Sequence, residues 1–407
     1  MASHEDFERT RRLSREIAAP LSDADASLQP MPDASPAKWH LAHTSWFFET
    51  FVLRDFVPGY RCDPDFAFLF NSYYEGEGAR HPRTRRGMIS RPSLDAILTW
   101  RDSVDAAMLS ALPDLPSAAR TLVGLGLAHE GQHQELMLMD MLATFAENPL
   151  VPAVWPRSGE GGSNGEAPAP GSLRHPGGVV SIGAGPQGGF SFDAERPAHA
   201  ILLQPFELAD RPVSNGEWLR FIAAGGYEQP LLWLSDGWDW RRREDVEAPL
   251  YWRRSDEGEW QRFGLDGLRP IDAAAPVCHI SYYEADAFAR WAGARLPREG
   301  EWEAIATGRE AAGDNLLDVA GPVAPRPGGG LFGDVWEWTM SAFLPYPGFR
   351  PEEGTVGEYN GKFMVNQFVL RGGSCATPRG HVRASYRNFF YPHQRWQFSG
   401  LRLARDL

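Results

Sequence analysis

Two histidines four residues apart lie within an apolar helical segment. His129 and His133 occur in HEGQHQE, which mostly apolar residues flank at 122–128 and 136–145. At this spacing both imidazoles lie on one face of a helix, about one turn apart. A polar cluster inside such a helix is costly unless a ligand or a network satisfies it. The pattern therefore predicts a buried site at which one metal ion binds both imidazoles.

A third ligand is needed, because two imidazoles alone would hold a metal ion weakly. An earlier segment, WHLAHTSWFFE, supplies two candidates, His40 and His43. Their spacing leaves open which of them points toward His129 and His133. Three neutral imidazoles suit zinc or ferrous iron, and spacing alone does not choose between the two. They leave open positions on an octahedral ion, which suits an iron that binds a substrate sulfur and dioxygen.

The same residues also fit the HExxH pattern of zinc hydrolases, in which Glu130 acts as the general base. This alternative requires the Glu130 carboxylate to face the metal. The sequence contains no downstream glycine turn with a third ligand, which counts against it. Two further alternatives are a helix whose polar residues are satisfied without metal, and a binding module without catalytic activity.

Four helical segments in the first 155 residues would position the histidines. Apolar periodicity predicts helices over 7–19, 36–57, 93–112 and 117–147, and helices of this length favour an antiparallel bundle. The connection 58–92 is too long for a simple turn. It contains NSYYE and a basic run, which indicates a functional loop.

The composition changes after the bundle. Residues 156–178 are rich in Gly, Pro and Ser and predict a linker. Residues 179–407 have short apolar runs and many turns, which predict an irregular α+β domain with helices over 214–223 and 282–292. We therefore divide the chain into a bundle (1–155), a linker (156–178) and a second domain (179–407).

Charge and cysteine content exclude several classes of protein. The net charge of −13 argues against a nucleic-acid partner. Cys62, Cys278 and Cys375 are widely spaced, so we expect no disulfide framework and a reducing cytoplasm. No run of 18 apolar residues occurs, so we expect no membrane span. Small-molecule substrates remain, and the sequence leaves the oligomeric state open.

Several long motifs resemble those of the EgtB-type ergothioneine-biosynthesis sulfoxide synthases, and they occur in the same order. They are WHLAHTSWFFET (39–50), HEGQHQEL (129–136), WAGARLPREGEWE (291–303), GDVWEWT (333–339), RGGSC (371–375) and GLRL (400–403). The resemblance implies a DinB-like four-helix bundle followed by a C-type-lectin-like domain of the formylglycine-generating-enzyme (FGE-sulfatase) type.

The resemblance also implies an activity. Such enzymes are non-haem Fe(II) oxidoreductases that use O2 to join a thiol to C2 of the imidazole of hercynine (Nα-trimethylhistidine), yielding a sulfoxide. Carried over by motif, the iron ligands are His43, His129 and His133, with His43 favoured over His40. The active site is then expected between the two halves of the chain.

Substrate contacts are implied in the same way. Gln132 matches a residue that contacts the hercynine imidazole. Asn388, followed by Phe389 and Phe390, matches a contact near the trimethylammonium and carboxylate end. A quaternary ammonium favours aromatic faces and oxygen dipoles, so these residue types agree with the role.

The long loop of the bundle carries the remaining implied residues. Arg83 and Arg86 match arginines that bind the carboxylate of the thiol substrate, for which forked guanidinium donors are suited. Tyr73 and Tyr74 match adjacent tyrosines that act as proton donor and redox partner in one subgroup. That subgroup favours cysteine over γ-glutamylcysteine. Which of the two tyrosines is catalytic is left open.

The second domain departs from formylglycine-generating enzymes in its cysteines. Those enzymes use a cysteine pair, whereas Cys375 has no cysteine near it in sequence. We therefore expect a substrate-binding half, with Trp336, Trp338 and Arg371 in its core. The nearest alternative function is a selenoneine synthase that couples a selenosugar to hercynine, because it would share both domains and the iron site.

Overall fold

The computed structural model describes residues 3–157, 165–186, 189–310, 314–351, 353–354, 357 and 360–407. The chain divides into two compact units. The first consists mainly of Met1–Trp155 and includes the short later segment Asp318–Pro322, and the second contains most of the rest. The first unit is helical and the second combines helices with small sheets, so the predicted fold class is confirmed.

The first unit contains the four long helices that the periodicity predicts, together with shorter ones. Its helices are α1 (His4–Ala18), α2 (Asp23–Ser27), α3 (Ala37–Phe48), α4 (Arg54–Phe56), α5 (Pro64–Phe70), α6 (Leu94–Ala111) and α7 (Ser117–Ala146). Between α3 and α4 the chain continues as a π-helical turn, Glu49–Leu53. The predicted helix over 36–57 is therefore continuous but locally wider than an α-helix.

Serine caps fix where two of the long helices begin. The Ser3 hydroxyl accepts from the backbone N–H of Asp6, and the Asp6 carboxylate accepts from the Ser3 N–H, which forms a capping box. The Ser93 hydroxyl accepts from the backbone N–H of Ala96 at the start of α6. The long connection 58–92 is ordered around α5 and a 3₁₀ helix at Arg83–Met88.

Helix α3 is enclosed on every side and packs closely against α7. All twelve of its residues are buried. Gly126 of α7 makes the approach possible, because an added Cβ there would lie 2.5 Å from Cε1 of Phe48 and 2.9 Å from Cε1 of Phe47. Real Cβ atoms do not approach other atoms this closely. The glycine therefore sets how near the two histidine-bearing helices can come.

In its described residues, the second unit contains short strands and four α-helices. Its strands are β1 (Ser172–His175), β2 (Gly178–Ile182), β3 (His199–Leu203), β4 (Phe206–Ala209), β5 (Trp252–Arg254), β6 (Trp260–Gly264), β7 (Gly267–Pro270), β8 (Trp336–Ala342), β9 (Phe368–Arg371), β10 (Asn388–Phe390), β11 (Ser399–Gly400) and β12 (Ala404–Asp406). Its helices are α8 (Asn215–Ala223), α9 (Ser235–Arg243), α10 (Tyr282–Trp291) and α11 (Glu299–Ala306).

The described strands form four sheets. They run in the orders β1-β4-β12, β2-β3, β5-β6-β7 and β10-β9-β8-β11. All described pairings are antiparallel except β11 with β8. The centre of the largest sheet carries Trp336, Trp338 and Arg371, all fully buried, which agrees with the predicted core role.

The predicted linker, 156–178, extends too far, because a strand begins within it. Ser172–His175 forms strand β1, which pairs with β4 from Ser172↔Ala209 to His175↔Phe206. Only alternate residues of β1 are partly buried, so backbone pairing rather than apolar composition places it in the sheet. Residues 158–164 of the predicted linker lie outside the described part of the chain.

Two helices of the second unit were not predicted. Ser235–Arg243 has little apolar content and a run of arginines, and Glu299–Ala306 is only eight residues long. Both are too short to show a clear helical period in sequence. Within the described residues, no helix combines the length and the apolar character that crossing a bilayer would require.

The contact at Gly126 leads to a prediction on stability. Gly126→Ala should lower the free energy of unfolding by about 1–3 kcal/mol, because the new methyl group overpacks against Phe48. Gly124→Ala on the same helix is the matched control. Nothing lies within 4 Å of its added Cβ, so it should stabilise the helix by about 0.5–1 kcal/mol. Urea unfolding followed by helical circular dichroism measures both; equal stabilisation by the two alanines would contradict the close approach.

Candidate metal centre in the helical unit

Three histidines from two helices converge in the first unit. His43 of α3 meets His129 and His133 of α7, and one potential ligand atom from each lies within 4.8 Å of the other two. Ring centroids are 4.9 Å apart for His43 and His129, 4.8 Å for His43 and His133, and 4.6 Å for His129 and His133. His43 and His129 are buried and His133 keeps some exposure, so the cluster is accessible at the His133 side.

Burial keeps all three imidazoles neutral. Removal from solvent lowers the pKa of His129 to about 3. Removal from solvent and the neighbouring imidazoles lower the pKa values of His43 and His133 well below their ordinary range. A neutral imidazole keeps a lone pair on one nitrogen, and that lone pair is what a metal ion binds.

A second observation supports a metal ion at these three imidazoles. The Nε2 atom of His43 is buried and has no hydrogen-bond partner among the described residues. A buried polar atom without a partner is rare, and an absent ion is one of its ordinary explanations. Three imidazole donors suit ferrous iron or zinc. The residues present therefore fit the metal that the sequence predicts.

Aromatic rings and a carbonyl hold His43 in place. Trp39 stacks on its imidazole with centroids 4.6 Å apart, and Trp46 stacks at 5.5 Å. The three residues follow i, i+4, i+7 spacing and so share one face of α3. The Nδ1–H of His43 donates to the carbonyl of Phe70 at 2.6 Å, which leaves Nε2 to face the other histidines. This stacking of two tryptophans on a histidine was not predicted, although the i, i+4, i+7 spacing of the three residues is visible in the sequence.

His40, the alternative third ligand, has both ring nitrogens engaged elsewhere. Its Nδ1 lies 2.8 Å from Nδ1 of His133, and its Nε2 lies 3.0 Å from Oδ2 of Asp140. The structure therefore brings His43, and not His40, into the three-histidine cluster.

Glu130 is directed toward α1 and α6 and is bound by cations there. Its carboxylate accepts from Arg101, from Arg11 at 2.9 Å and from the hydroxyl of Ser14 at 2.6 Å. Burial alone would raise the pKa of this carboxyl, but Arg101 and Arg11 outweigh burial and lower the pKa to about 2. A carboxylate this acidic, with both oxygens engaged, is a poor general base. This geometry argues against the zinc-hydrolase alternative.

The basic loop separates into exposed and buried arginines. Arg83 is exposed and donates to the carbonyl of Asp33. Arg86 is buried and lies over Trp39, with its guanidinium carbon 3.3 Å from the ring centroid. It donates to the hydroxyls of Ser35 at 2.9 Å and Ser72 at 3.1 Å. It forms no ion pair with any described residue, and its Nε is buried without a partner.

The two predicted tyrosines stack on each other beside the cluster. Their ring centroids are 4.9 Å apart. Tyr74 is buried and also packs against Trp46 at 5.5 Å, whereas Tyr73 is half-buried and interacts electrostatically with Arg86. The Asn71 side chain holds this turn through its contacts with the backbone of Tyr74 at 2.9 and 3.2 Å.

The remaining predicted site residues lie at two places in the chain. Gln132 is partly exposed on α7, next to His133. Asn388, Phe389 and Phe390 form β10 of the second unit and are all partly buried. Phe389 stacks on Phe343 at 4.1 Å and so packs against the unit's core, a role that the sequence did not separate from ligand contact.

Comparison with known proteins identifies the family. The DinB superfamily model matches residues 6–137, and the sulfatase-modifying factor enzyme 1-like domain matches residues 158–318 and 329–407. The hercynine oxygenase of Mycolicibacterium smegmatis is 34% identical over 98% of this chain and 96% of its own. The chain belongs to the hercynine oxygenase family. The hercynine oxygenase of Mycobacterium tuberculosis is also 34% identical, over 95% of this chain and 94% of its own.

Membership of the hercynine oxygenase family makes the chain an oxidoreductase and confirms the resemblance drawn from its motifs. Ergothioneine biosynthesis protein 1 of Schizosaccharomyces pombe is 28% identical over 53% of this chain and 28% of its own. The motifs at 39–50 and 129–136, on which the resemblance to the sulfoxide synthases was based, contain all three clustered histidines.

The ion pairs of Glu130 lead to a prediction on stability and its pH dependence. Glu130→Gln leaves the guanidinium groups of Arg11 and Arg101 buried without this counter-charge and should cost about 3–5 kcal/mol of unfolding free energy at pH 7. The folded pKa of about 2 lies below the ordinary value of 4.5. The stabilisation is therefore complete above pH 4.5 and is lost as pH falls toward 2.

Urea unfolding of both proteins between pH 7 and pH 2.5 tests this. The difference between wild type and Glu130→Gln should shrink as the solution becomes more acidic. Glu147→Gln, at an exposed glutamate that ends the same helix, is the control and should change little. A Glu130→Gln variant as stable as wild type at pH 7 would contradict the buried ion pairs.

Proposed function

We propose that the chain is a non-haem Fe(II), O2-dependent sulfoxide synthase of ergothioneine biosynthesis. It forms a bond between C2 of the hercynine imidazole and the sulfur of a thiol, with cysteine favoured over γ-glutamylcysteine. The observation that carries the proposal is the convergence of three neutral imidazoles, His43, His129 and His133. Similarity over almost the full chain to proteins named hercynine oxygenase supports the substrate.

The three histidines would hold the iron. When bound, Fe(II) would supply the redox chemistry toward O2 and would favour the thiolate form of the second substrate. The protein supplies the environment for this chemistry. Trp39 and Trp46 cover the two faces of His43, and burial keeps the imidazoles neutral.

Arg86 is proposed to bind the carboxylate of the thiol substrate, together with Arg83. Burial and the neighbouring arginines lower the pKa of Arg86 in spite of the charge on Asp140, and a substrate carboxylate paired with the guanidinium would offset the cost of its burial. The Ser35 and Ser72 hydroxyls and the face of Trp39 orient the guanidinium, and its buried Nε keeps a donor for the incoming anion. Arg83 is exposed and would contribute at the solvent side.

The resemblance to the sulfoxide synthases supports four proposed contacts of hercynine: Gln132, Asn388, Phe389 and Phe390. The position of Gln132 beside His133 supports its part. Phe389 also packs against Phe343, and this contact holds β10 in place for the proposed binding of hercynine. We also propose a cytoplasmic location, which is supported by the absence of disulfides among Cys62, Cys278 and Cys375, all of them described.

Tyr73 is proposed to supply the proton that directs the reaction to the sulfoxide, and Tyr74 to pack. Tyr73 is half-buried and within electrostatic reach of Arg86, where the thiol would bind. Tyr74 is enclosed by Trp46, Phe51 and Tyr73. An enclosed ring serves as support, whereas a partly exposed one is accessible to substrate.

The proposed reaction predicts a double requirement for substrates. Protein reconstituted with Fe(II) should consume O2 only when hercynine and a thiol are both present. His133→Ala should abolish iron retention and turnover, because two imidazoles hold the ion weakly. His4→Ala, at an exposed histidine of α1, is the control and should retain both.

Mass spectrometry of products from hercynine offered with cysteine, γ-glutamylcysteine and a selenosugar together identifies the donor. A cysteine sulfoxide adduct as main product supports the proposal, and a selenium adduct would establish selenoneine synthase instead. Zinc retention with hydrolysis of peptides would overturn both.

The tyrosine assignment predicts a change of product. Tyr73→Phe removes the proposed proton donor and should shift the products from the sulfoxide toward cysteine sulfinate. Tyr74→Phe keeps the packed ring and should keep the wild-type ratio, so it serves as the matched control. Quantifying both products against O2 consumed gives the ratio. An unchanged ratio in both variants would remove tyrosine from the mechanism, and a shift only in Tyr74→Phe would reverse the assignment.

A further inference from the structure

A hydrogen-bonded series of three side chains runs from α7 through α3 and back to α7, and two of the three, Asp140 and His40, are buried. Oδ2 of Asp140 lies 3.0 Å from Nε2 of His40, and Nδ1 of His40 lies 2.8 Å from Nδ1 of His133. Oδ2 of Asp140 also accepts from the backbone N–H of Ser35 at 2.7 Å. Asp140 and His40 are both more than nine-tenths buried. This hydrogen-bonded series therefore ends on one of the three clustered histidines, and its first two groups, Asp140 and His40, are shielded from water.

Hydrogen-bond chemistry determines which ring nitrogen carries the proton at each step of this hydrogen-bonded series. An ionised carboxylate only accepts, so the ring proton of His40 resides on Nε2 and is donated to Asp140. The Nδ1 of a neutral His40 is then an acceptor, and the proton between the two rings belongs to Nδ1 of His133. His133 consequently keeps its lone pair on Nε2. The opposite order of donors would place a proton on Nε2 of His133 and remove the lone pair that a metal needs.

The Nδ1 of His43 is also held by a hydrogen bond, but its partner is a backbone group. Its Nδ1–H donates to the Phe70 carbonyl, and its Nε2 is the buried atom without a partner. Two of the three clustered imidazoles thus have their Nδ1 bound by the protein. The partner of His43 is a backbone atom, whereas the partner of His133 is a side chain that substitution can change.

We propose that His40, backed by Asp140, is a positioning residue that fixes the tautomer and ring orientation of His133 and thereby sets the affinity of the three-histidine site for its metal. The inference rests on the proposed function, because it assigns His133 to the metal. It gives His40 a role distinct from that of a ligand. Partners of this kind are typically worth about 10–100-fold in metal affinity.

Two amide substitutions at His40 separate this role from simple packing. His40→Asn places an amide oxygen near the former Nδ1 and keeps an acceptor for His133, but loses the contact to Asp140. His40→Gln places its amide near the former Nε2 and keeps the contact to Asp140, but loses the acceptor for His133. If His40 serves only to hold Asp140, His40→Gln should retain the metal affinity of the wild type. If His40 positions His133, His40→Asn should retain it instead.

The measurement is the dissociation constant for Co(II), obtained by competition with a chelator on the full-length protein, together with the visible spectrum of bound Co(II). His40→Gln should weaken binding by about 10–100-fold and alter the spectrum. His40→Asn should retain most of the affinity and a wild-type spectrum. Thermal unfolding of the metal-free proteins establishes that both variants are folded.

The outcomes separate this inference from the proposed function. Wild-type protein that binds neither Co(II) nor Fe(II) would overturn the proposed function. Wild-type binding with equal affinity in His40→Gln would overturn the positioning role alone. A greater loss in His40→Asn than in His40→Gln would also overturn it, because the contact to Asp140 would then be what matters.

Discussion

The packing of α3 against α7 is the contact on which the candidate metal centre depends. His43 comes from one helix and His129 and His133 from the other, so the cluster exists only at the spacing that Gly126 permits. Aromatic rings fill the rest of this contact, with Phe47 5.1 Å from His129 and Trp39 stacked on His43. A packed interface of this kind does not deform gradually. The rigidity of the three-histidine cluster therefore comes from the packing of the helix pair.

The rotation of α7 about its own axis is fixed by charge on its other side. Successive residues in an α-helix are turned by about 100°, so Glu130 is directed to α1 and α6 while His129 faces α3. Its ion pairs with Arg11 and Arg101 are enclosed and cannot be exchanged for water without a large cost. Any rotation that moved the histidines would break these pairs. A glutamate next to a ligand thus contributes to the site through orientation, and the HExxH spacing does not by itself identify a base.

The sequence predicted the long helices, the fold class and the convergence of three histidines, because each depends on periodicity or on long motifs. The choice of His43 over His40 came from the motif, since both lie on overlapping faces of one helix. Spacing did not reveal that His40 pairs with Asp140, because that contact joins residues 100 positions apart. Strand β1 was missed for a related reason, since backbone pairing with β4 leaves little trace in side-chain composition.

The arginines proposed to recognise the sulfur donor are held mainly by a loop, and Trp39 is the side chain that contacts both Arg86 and His43. Arg86 belongs to a 3₁₀ helix that Gln29 binds at both ends, through the carbonyl of Arg83 and the N–H of Gly87. The buried ammonium of Lys38 secures the following turn through the carbonyls of Ser90 and Pro92. These supports are side-chain hydrogen bonds to a loop, whereas the histidines lie on packed helices. Substitutions that change only these loop hydrogen bonds therefore leave the helix packing around the three histidines in place, whereas a change at Trp39 would reach both Arg86 and His43.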